Sequence, residues 1–287
     1  MDYLKLCCVA PHPPILVPEV GGQEIARVKS TSDALEELAD VIAAIGPDTI
    51  VIMSPHSPIY TDAFTVKVAP ALGGSFSQFG APHVRFDSVP DTELAVAIVE
   101  RARSLGVPCE PVGGSDQRHR NASASELDHG ILVPLYFLAK KKYPLVCLSM
   151  SLLDYKAHYA MGIAIRDAVE SKGRKAVFIA SGDMSHRLIP GAPAGFSPRG
   201  AEFDRSIVDI VSSGDFSRLF DLDAGLIDDA GECGLRSLFA LGGTLDGRER
   251  ASRVLSYEGP FGVGYLVARV LPGAADPAMS LVREEER

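Results

Sequence analysis

Three short apolar runs, each followed by a histidine, constrain the fold of this chain more than any other feature. The runs cover residues 4–10, 49–53 and 176–180, and the histidines are His12, His56 and His186. Each run has the length and β-branched content of a buried strand and ends near Pro or Gly. Because ligands of open α/β sheets bind beyond the carboxyl ends of the strands, we expect these histidines to mark a binding site.

Strands and helices alternate through most of the chain. Strands are predicted at 4–10, 49–53, 64–68, 83–86, 145–150, 176–180, 253–257 and 263–270, and helices at 32–45, 91–105, 129–142, 155–172, 201–213, 215–220 and 232–241. This alternation predicts an α/β fold with a largely parallel, mixed central sheet and helices on both faces. No linker divides the chain, so we expect a single domain over residues 1–272. The polar tail 273–287 is expected to be disordered.

Composition and charge exclude several classes of function. A net charge of −9 without a basic cluster argues against nucleic acid as a partner. No apolar run approaches the roughly 18 residues that suggest a membrane span, and the N-terminus lacks the basic region of a signal peptide. The five cysteines have no zinc-finger spacing, and Cys7 and Cys147 fall in predicted strands. A reduced, cytoplasmic environment fits this pattern best.

Two further residues open predicted helices and extend the candidate site. His129 follows Asp128, and the helix dipole at that position favours a neutral imidazole that can form hydrogen bonds at a site. The simpler interpretation is that Asp128 and His129 only cap the helix. Glu232 lies between Gly231 and Cys233. It is either a ligand or a glutamate placed favourably against the dipole, and Cys233 could compete with it as a ligand.

The residue types point to metal chemistry. Two histidines and one carboxylate with open coordination positions are the arrangement of non-heme Fe(II) oxygenases. Asp183 and His186 lie three residues apart on a predicted turn. There His186 can act as a general base, and Asp183 can orient it or hold the turn. The alternative for Asp183 is a turn residue with no role in chemistry. The Pro- and Gly-rich stretch 188–200 that follows is a candidate lid or pocket wall.

The ordered set of motifs resembles the class III extradiol dioxygenases of the LigB-like superfamily. The similar features are Pro-His-Pro around His12, the histidine after the second strand, Asp-His-Gly followed by Val-Pro-Leu at 133–135, Gly-Asp-Met-Ser-His ending at His186, and Gly-Glu before a helix. They occur in the order of the family and extend from His12 to about Val270. No single motif is specific, but the ordered set is.

The resemblance implies a set of roles. The metal ligands would fall on His12, His56 and Glu232, the acid/base on His186, and the histidine near substrate and O₂ on His129. It further implies Fe(II), with another divalent metal such as zinc as an alternative, a catechol-type aromatic diol and O₂ as substrates, and a homodimer. Binding to Fe(II) would lower the pKa of the catechol hydroxyls, and His186 would take the proton.

Two alternatives to ring cleavage stay open. Memo-like proteins are more distant relatives with the same fold and no settled ring-cleaving activity, and they have a cysteine among the metal-site residues where the dioxygenases have glutamate. Glu232 favours the dioxygenase branch, whereas the adjacent Cys233 keeps a Memo-like metal-binding protein in view. A zinc hydrolase is the third option, because His, His and Glu can also hold Zn(II) with one open position.

Overall fold

The computed structural model describes residues 3–113 and 124–281. The strands there are β1 (Leu4–Ala10), β2 (Thr49–Ser54), β3 (Phe64–Lys67), β4 (Leu72–Phe76), β5 (Ala81–Ser88), β6 (Cys109–Val112), β7 (Leu145–Ser149), β8 (Ala176–Ser181), β9 (Arg248–Glu258) and β10 (Tyr265–Ala275). The helices are α1 (Pro18–Gly21), α2 (Lys29–Ile45), α3 (Thr92–Ser104), α4 (His129–Leu138), α5 (Tyr155–Lys172), α6 (Gly200–Ser213), α7 (Ala224–Ala230) and α8 (Leu235–Thr244).

The central sheet has eight strands in the order β6-β3-β7-β2-β8-β1-β10-β9. The four inner strands β7, β2, β8 and β1 run parallel to one another. On one side β10 and β9 add antiparallel strands, and on the other β3 is antiparallel to β7. Strands β4 and β5 form a separate hairpin. This arrangement confirms the predicted α/β fold with a largely parallel, mixed sheet.

Different helices cover the two faces of the sheet. Along β1, Cys7 and Val9 pack into a core with residues of α3, α5, α6 and α8. Leu6, Cys8 and Ala10 point the other way, into a core with residues of α2 and α4. Successive side chains of a strand face opposite sides, so burial on both sides explains why the central strands are almost continuously apolar.

Several boundaries differ from the sequence-based prediction. The helix expected to reach residue 142 ends at Leu138, because Ala139 leaves the helical conformation. Strands β4 and β6 and helix α7 were not predicted. The domain also continues past the predicted end at 272. Strand β10 pairs with β9 as far as Ala275, and Asp246 accepts hydrogen bonds from Ser280 and Leu281. The rest of the predicted tail, 282–287, lies outside the described residues.

No helix in the described parts of the chain combines the length and the apolar character that crossing a lipid bilayer requires.

Helices α5 and α8 cross so closely that their backbones touch. A Cβ atom at Gly162 would lie 2.0 Å from the carbonyl oxygen of Ala240, and one at Gly243 would lie 1.9 Å from that of Tyr159. Neither distance is physically accessible, so the crossing depends on glycine at both positions. This contact places α8, and the loop before it, against the carboxyl end of the sheet.

We predict that Gly243→Ala lowers the free energy of unfolding by about 1–3 kcal/mol, the usual cost of overpacking a core. Alanine in a helix interior is otherwise favoured over glycine by about 0.5–1 kcal/mol. A loss of stability would therefore come from the clash between the helices and not from helix propensity. Gly225→Ala in α7 is the control, since its Cβ would meet only side-chain ends of Asp223 and Arg199 at 3.3 and 3.4 Å. Urea denaturation measures both variants. A Gly243→Ala protein as stable as wild type would contradict the close crossing.

Candidate metal centre

The carboxyl ends of β1, β2 and β8 bring the predicted histidines together. A pocket of about 380 Å³ is lined by His12, His56, His129 and His186, together with Asp183. The Nε2 atoms of His12 and His56 are 2.9 Å apart. The four histidines thus line one cavity. Three of them were predicted from the ends of strands and one from the start of a helix.

His12 is held with Nε2 facing the pocket. Its Nδ1 lies 3.0 Å from the hydroxyl of Ser181, at the end of β8. That hydroxyl donates its only proton to the carbonyl oxygen of Gly130, at 2.5 Å. Ser181 must therefore accept from His12, so the proton of the neutral imidazole resides on Nδ1. Nε2 therefore carries no proton, as a metal ligand requires, and its lone pair faces Nε2 of His56.

Asp128 fixes His56 and His129 relative to each other. Its two carboxylate oxygens accept from the hydroxyls of Ser54 and Ser57, both at 2.6 Å. Ser54 in turn accepts from the backbone N–H of His56. The His129 ring stacks on that of His56 with centroids 4.1 Å apart. Asp128 makes no side-chain bond to the backbone of its own helix, so it connects α4 to the loop after β2.

The pKa values of all four imidazoles are lowered, although only His12 is fully buried and His56 is partly open to solvent. Burial is the main cause that lowers the pKa of His12 well below its ordinary value, and the neighbouring histidines lower it further. Burial and the nearby His129 lower the pKa of His56 to about 4. The pKa values of His129 and His186 are lowered as well, again mainly by burial. Neutral imidazole is the form that binds a metal ion, so these histidines can bind a cation without first losing a proton.

Cys233 and Asp183 supply the remaining donor atoms beside His12. The Cys233 sulfur is 3.7 Å from His12 Nε2, and the Asp183 Oδ2 is 3.9 Å from it. The ligand atoms of these three residues all lie within 4.8 Å of one another, as do those of His12, His56 and His129. Asp183 Oδ1 also accepts from the backbone N–H of His12, at 3.0 Å. Asp183 therefore holds the His12 loop, whereas the sequence suggested that it orients His186 or holds the turn that carries both residues.

Glu232 is not brought to the two histidines. Its Oε2 accepts from the backbone N–H of Leu235, at 2.6 Å, so the carboxylate caps the start of α8. Neither metal-ligand group found in the described residues contains it. The cause is the loop backbone, in which Cys233 N–H donates to the Asp183 carbonyl and Asp183 N–H donates to the Cys233 sulfur. With Cys233 turned toward His12, its neighbour points away.

The rest of the pocket is largely apolar. Its other lining residues are Pro13, Pro14, Ile15, Pro193, Phe261, Val263 and Tyr265. Pro193 belongs to the 188–200 stretch, so part of that stretch is a pocket wall as predicted. Phe261, Val263 and Tyr265 were missed as site residues, since apolar residues that alternate with glycine at the start of a strand carry no signal of a site. Such walls suit a flat, apolar ring.

We predict that Ser181→Ala weakens zinc binding about 10- to 100-fold, the usual cost of losing the partner that orients a histidine ligand. The matched control is Ser149→Ala. Ser149 also ends a central strand, but its hydroxyl contacts Thr65, away from the histidines. Competition with a chromophoric chelator measures both affinities, and circular dichroism checks folding. Equal affinities in the two variants would rule out orientation of His12 by Ser181.

We further predict a larger effect for Cys233→Ala, because this change removes a ligand atom itself. Zinc binding should weaken by more than the factor of about 10 to 100 that is expected for losing an orienting partner. Glu232→Gln should leave the affinity unchanged, because an amide oxygen can still accept from Leu235 and the carboxylate belongs to neither candidate ligand group. The same chelator competition measures both. The opposite pattern, with loss only in the glutamate variant, would restore Glu232 as the ligand.

A family model and several relatives match this chain. A model described as the catalytic LigB subunit of aromatic ring-opening dioxygenase matches residues 6–268. A Clostridium acetobutylicum protein is 38% identical over 279 residues, which are 96% of this chain and 59% of the relative. The chain thus spans about three-fifths of that relative's length.

More distant relatives have named activities. The 3,4-dihydroxyphenylacetate 2,3-dioxygenase of Escherichia coli is 24% identical over 217 residues, 72% of this chain and 75% of the relative. The 2-aminophenol 1,6-dioxygenase beta subunit of a Pseudomonas species is 25% identical over 247 residues, 77% of this chain and 78% of the relative.

Among solved structures, an uncharacterized protein from Escherichia coli K12 shares the fold. Its TM-score is 0.56 at 15% sequence identity, and the alignment covers 92% of this chain and 99% of that one. That likeness concerns the fold alone. Because the family model covers most of the chain, the chain belongs to the LigB family.

Proposed function

We propose that this chain binds a divalent metal ion and uses O₂ to open the ring of a catechol-type substrate. The observation that carries the proposal is the pair of Nε2 atoms of His12 and His56, 2.9 Å apart in a pocket that also holds His129 and His186. Two nitrogens bound at about 2.1 Å and at right angles around an ion lie about 3 Å apart. The donor set therefore fits an ion, and Asp183 or Cys233 would complete it.

When bound, Fe(II) would acidify the catechol hydroxyls and pass electron density from substrate to O₂. His186 is the residue proposed to take the catechol proton and return it later. His186 lines the pocket, and burial lowers its pKa so that the imidazole is neutral and can accept a proton. His129 can donate a hydrogen bond to substrate or to O₂, and the apolar walls limit access of water.

The substrate class is supported by two relatives. One is named for oxygenation of 3,4-dihydroxyphenylacetate and the other for oxygenation of 2-aminophenol. We therefore propose an aromatic ring with a hydroxyl group next to a second hydroxyl or an amino group. The free cysteines, four of them buried, are consistent with the reducing cytoplasm proposed as the location.

A second candidate function is favoured by one observation. Cys233, rather than Glu232, lies beside His12, and a sulfur ligand suits zinc or copper better than the iron of an oxygenase. The alternative is a metal-binding protein of the same superfamily that does not cleave rings. Metal analysis of anaerobically purified protein, followed by Fe(II) loading and O₂ uptake with a panel of catechols, distinguishes the two. Stoichiometric iron without substrate-dependent O₂ uptake would support the second candidate.

We predict that His186→Ala keeps its metal but opens the ring about 10²- to 10⁴-fold more slowly, the typical contribution of general acid–base catalysis. The loss should appear in kcat, because the interaction is made as the proton moves. His83→Ala, at an exposed position on β5, is the control. Loss of metal from the His186 variant would make His186 a ligand. Normal turnover would shift the base to His129, and His129→Ala should then be nearly inactive.

A further inference from the structure

The hydroxyl group of Tyr265 has no hydrogen-bond partner in the described part of the chain. The residue begins β10, is only 2% exposed, and lines the same pocket as Asp183 and His186. Within residues 3–113 and 124–281 its hydroxyl makes no hydrogen bond, and the hydroxyl oxygen is not among the fully enclosed polar atoms without a partner. The hydroxyl is therefore open to the pocket. Buried tyrosine hydroxyls usually have a partner, so a free one facing a cavity suggests that a ligand supplies it.

The backbone next to Tyr265 is hydrogen-bonded to the loop that carries Asp183 and His186. Gly264 donates to the carbonyl of Ser185 at 2.9 Å and accepts from the N–H of Met184 at 2.8 Å. Both partners lie between Asp183 and His186. A Cβ atom at position 264 would be 2.1 Å from Asp204 Oδ2, so only glycine permits this approach. The Tyr265 ring itself packs in the apolar core beneath the pocket. Its hydroxyl therefore has a fixed position relative to His186.

We propose that the Tyr265 hydroxyl donates a hydrogen bond to an oxygen or nitrogen acceptor of the aromatic ligand in this pocket and sets the orientation of the ring toward His186. The inference rests on the proposed function and deepens it. Burial, together with Asp183 and Glu258, raises the pKa of the Tyr265 phenol. The group therefore stays protonated and acts as a donor. Neutral and anionic acceptors on the ring both match it, whereas an ammonium group would not.

The chain offers a matched control in Tyr257, on the neighbouring strand β9. Its hydroxyl donates to Asp204 Oδ2 at 2.6 Å, and the residue does not line the histidine pocket. Each Tyr→Phe substitution therefore removes one hydroxyl group. Tyr257→Phe removes a hydroxyl that is hydrogen-bonded within the protein, and Tyr265→Phe removes one that is not. The first should lower stability because it leaves a buried carboxylate with one partner fewer. The second should leave stability unchanged.

Catechol binding to the zinc-loaded protein, measured anaerobically by calorimetry, tests the proposal without any turnover. Tyr265→Phe should bind catechol about 10-fold more weakly or worse, as expected for a lost hydrogen bond to a charged or polarised oxygen, with unchanged zinc affinity and melting temperature. Tyr257→Phe should bind catechol within about twofold of wild type. In an active iron enzyme the Tyr265 variant should also show a raised KM.

Each outcome of this experiment has one meaning. Equal catechol affinity in wild type and Tyr265→Phe overturns the role of Tyr265 and leaves ring opening untouched. Weaker binding in Tyr265→Phe, combined with no O₂ uptake by the iron-loaded wild type, supports the role of Tyr265 and overturns ring opening. Weaker binding that comes with weaker zinc binding or a lower melting temperature makes Tyr265 a structural residue and overturns the inference. No catechol binding by zinc-loaded wild type overturns both proposals.

Discussion

The parallel pairing of β8 with β1 on one side and β2 on the other is the constraint on which the site depends. Ala10 aligns with Ser181, and Met53 aligns with Ala180. His12 and His56 each follow their strand by a few residues, so this register sets both rings above the end of β8. A shift of one residue would turn every side chain of a strand to the opposite face. It would remove Ser181 from His12 and expose apolar residues that now lie in the two cores.

The fold and the histidine cluster could be predicted because local sequence carries their signals. An apolar run of strand length that ends at proline or glycine and is followed by His12 or His56 needs no knowledge of the rest of the chain. The choice between Glu232 and Cys233 is different. Neighbouring residues in a loop point in different directions, and the direction here is set by backbone contacts with Asp183, about fifty residues earlier. Tyr265 was missed for a related reason, since its free hydroxyl becomes visible only when the whole pocket is assembled.

The charge state of the donors explains why this cluster suits a cation. Burial lowers the pKa of His12 and raises that of Asp183 to about 7. It also raises the pKa of the Cys233 thiol well above its usual value. Without an ion, burial thus shifts each group toward its neutral form in a pocket where isolated charges are costly. A bound cation reverses that preference for the carboxyl and the thiol, so metal binding should release protons. The metal affinity therefore depends on which of these two groups, the carboxyl or the thiol, is the third ligand.

The hydrogen bonds of another buried histidine, His158, support a functional role for a polar group that has no partner at the pocket. His158 is fully buried on α5, and both of its ring nitrogens are satisfied. Its Nε2 accepts from the N–H of Ser151, so its Nδ1 proton is donated to the carbonyl of Asp154. This fold thus provides partners for a histidine that serves only structure. At the pocket it leaves the Tyr265 hydroxyl without a partner in the described residues. An unsatisfied polar group destabilises a protein by about 1–3 kcal/mol, so its retention at this cavity is best explained by a ligand that completes its hydrogen bond.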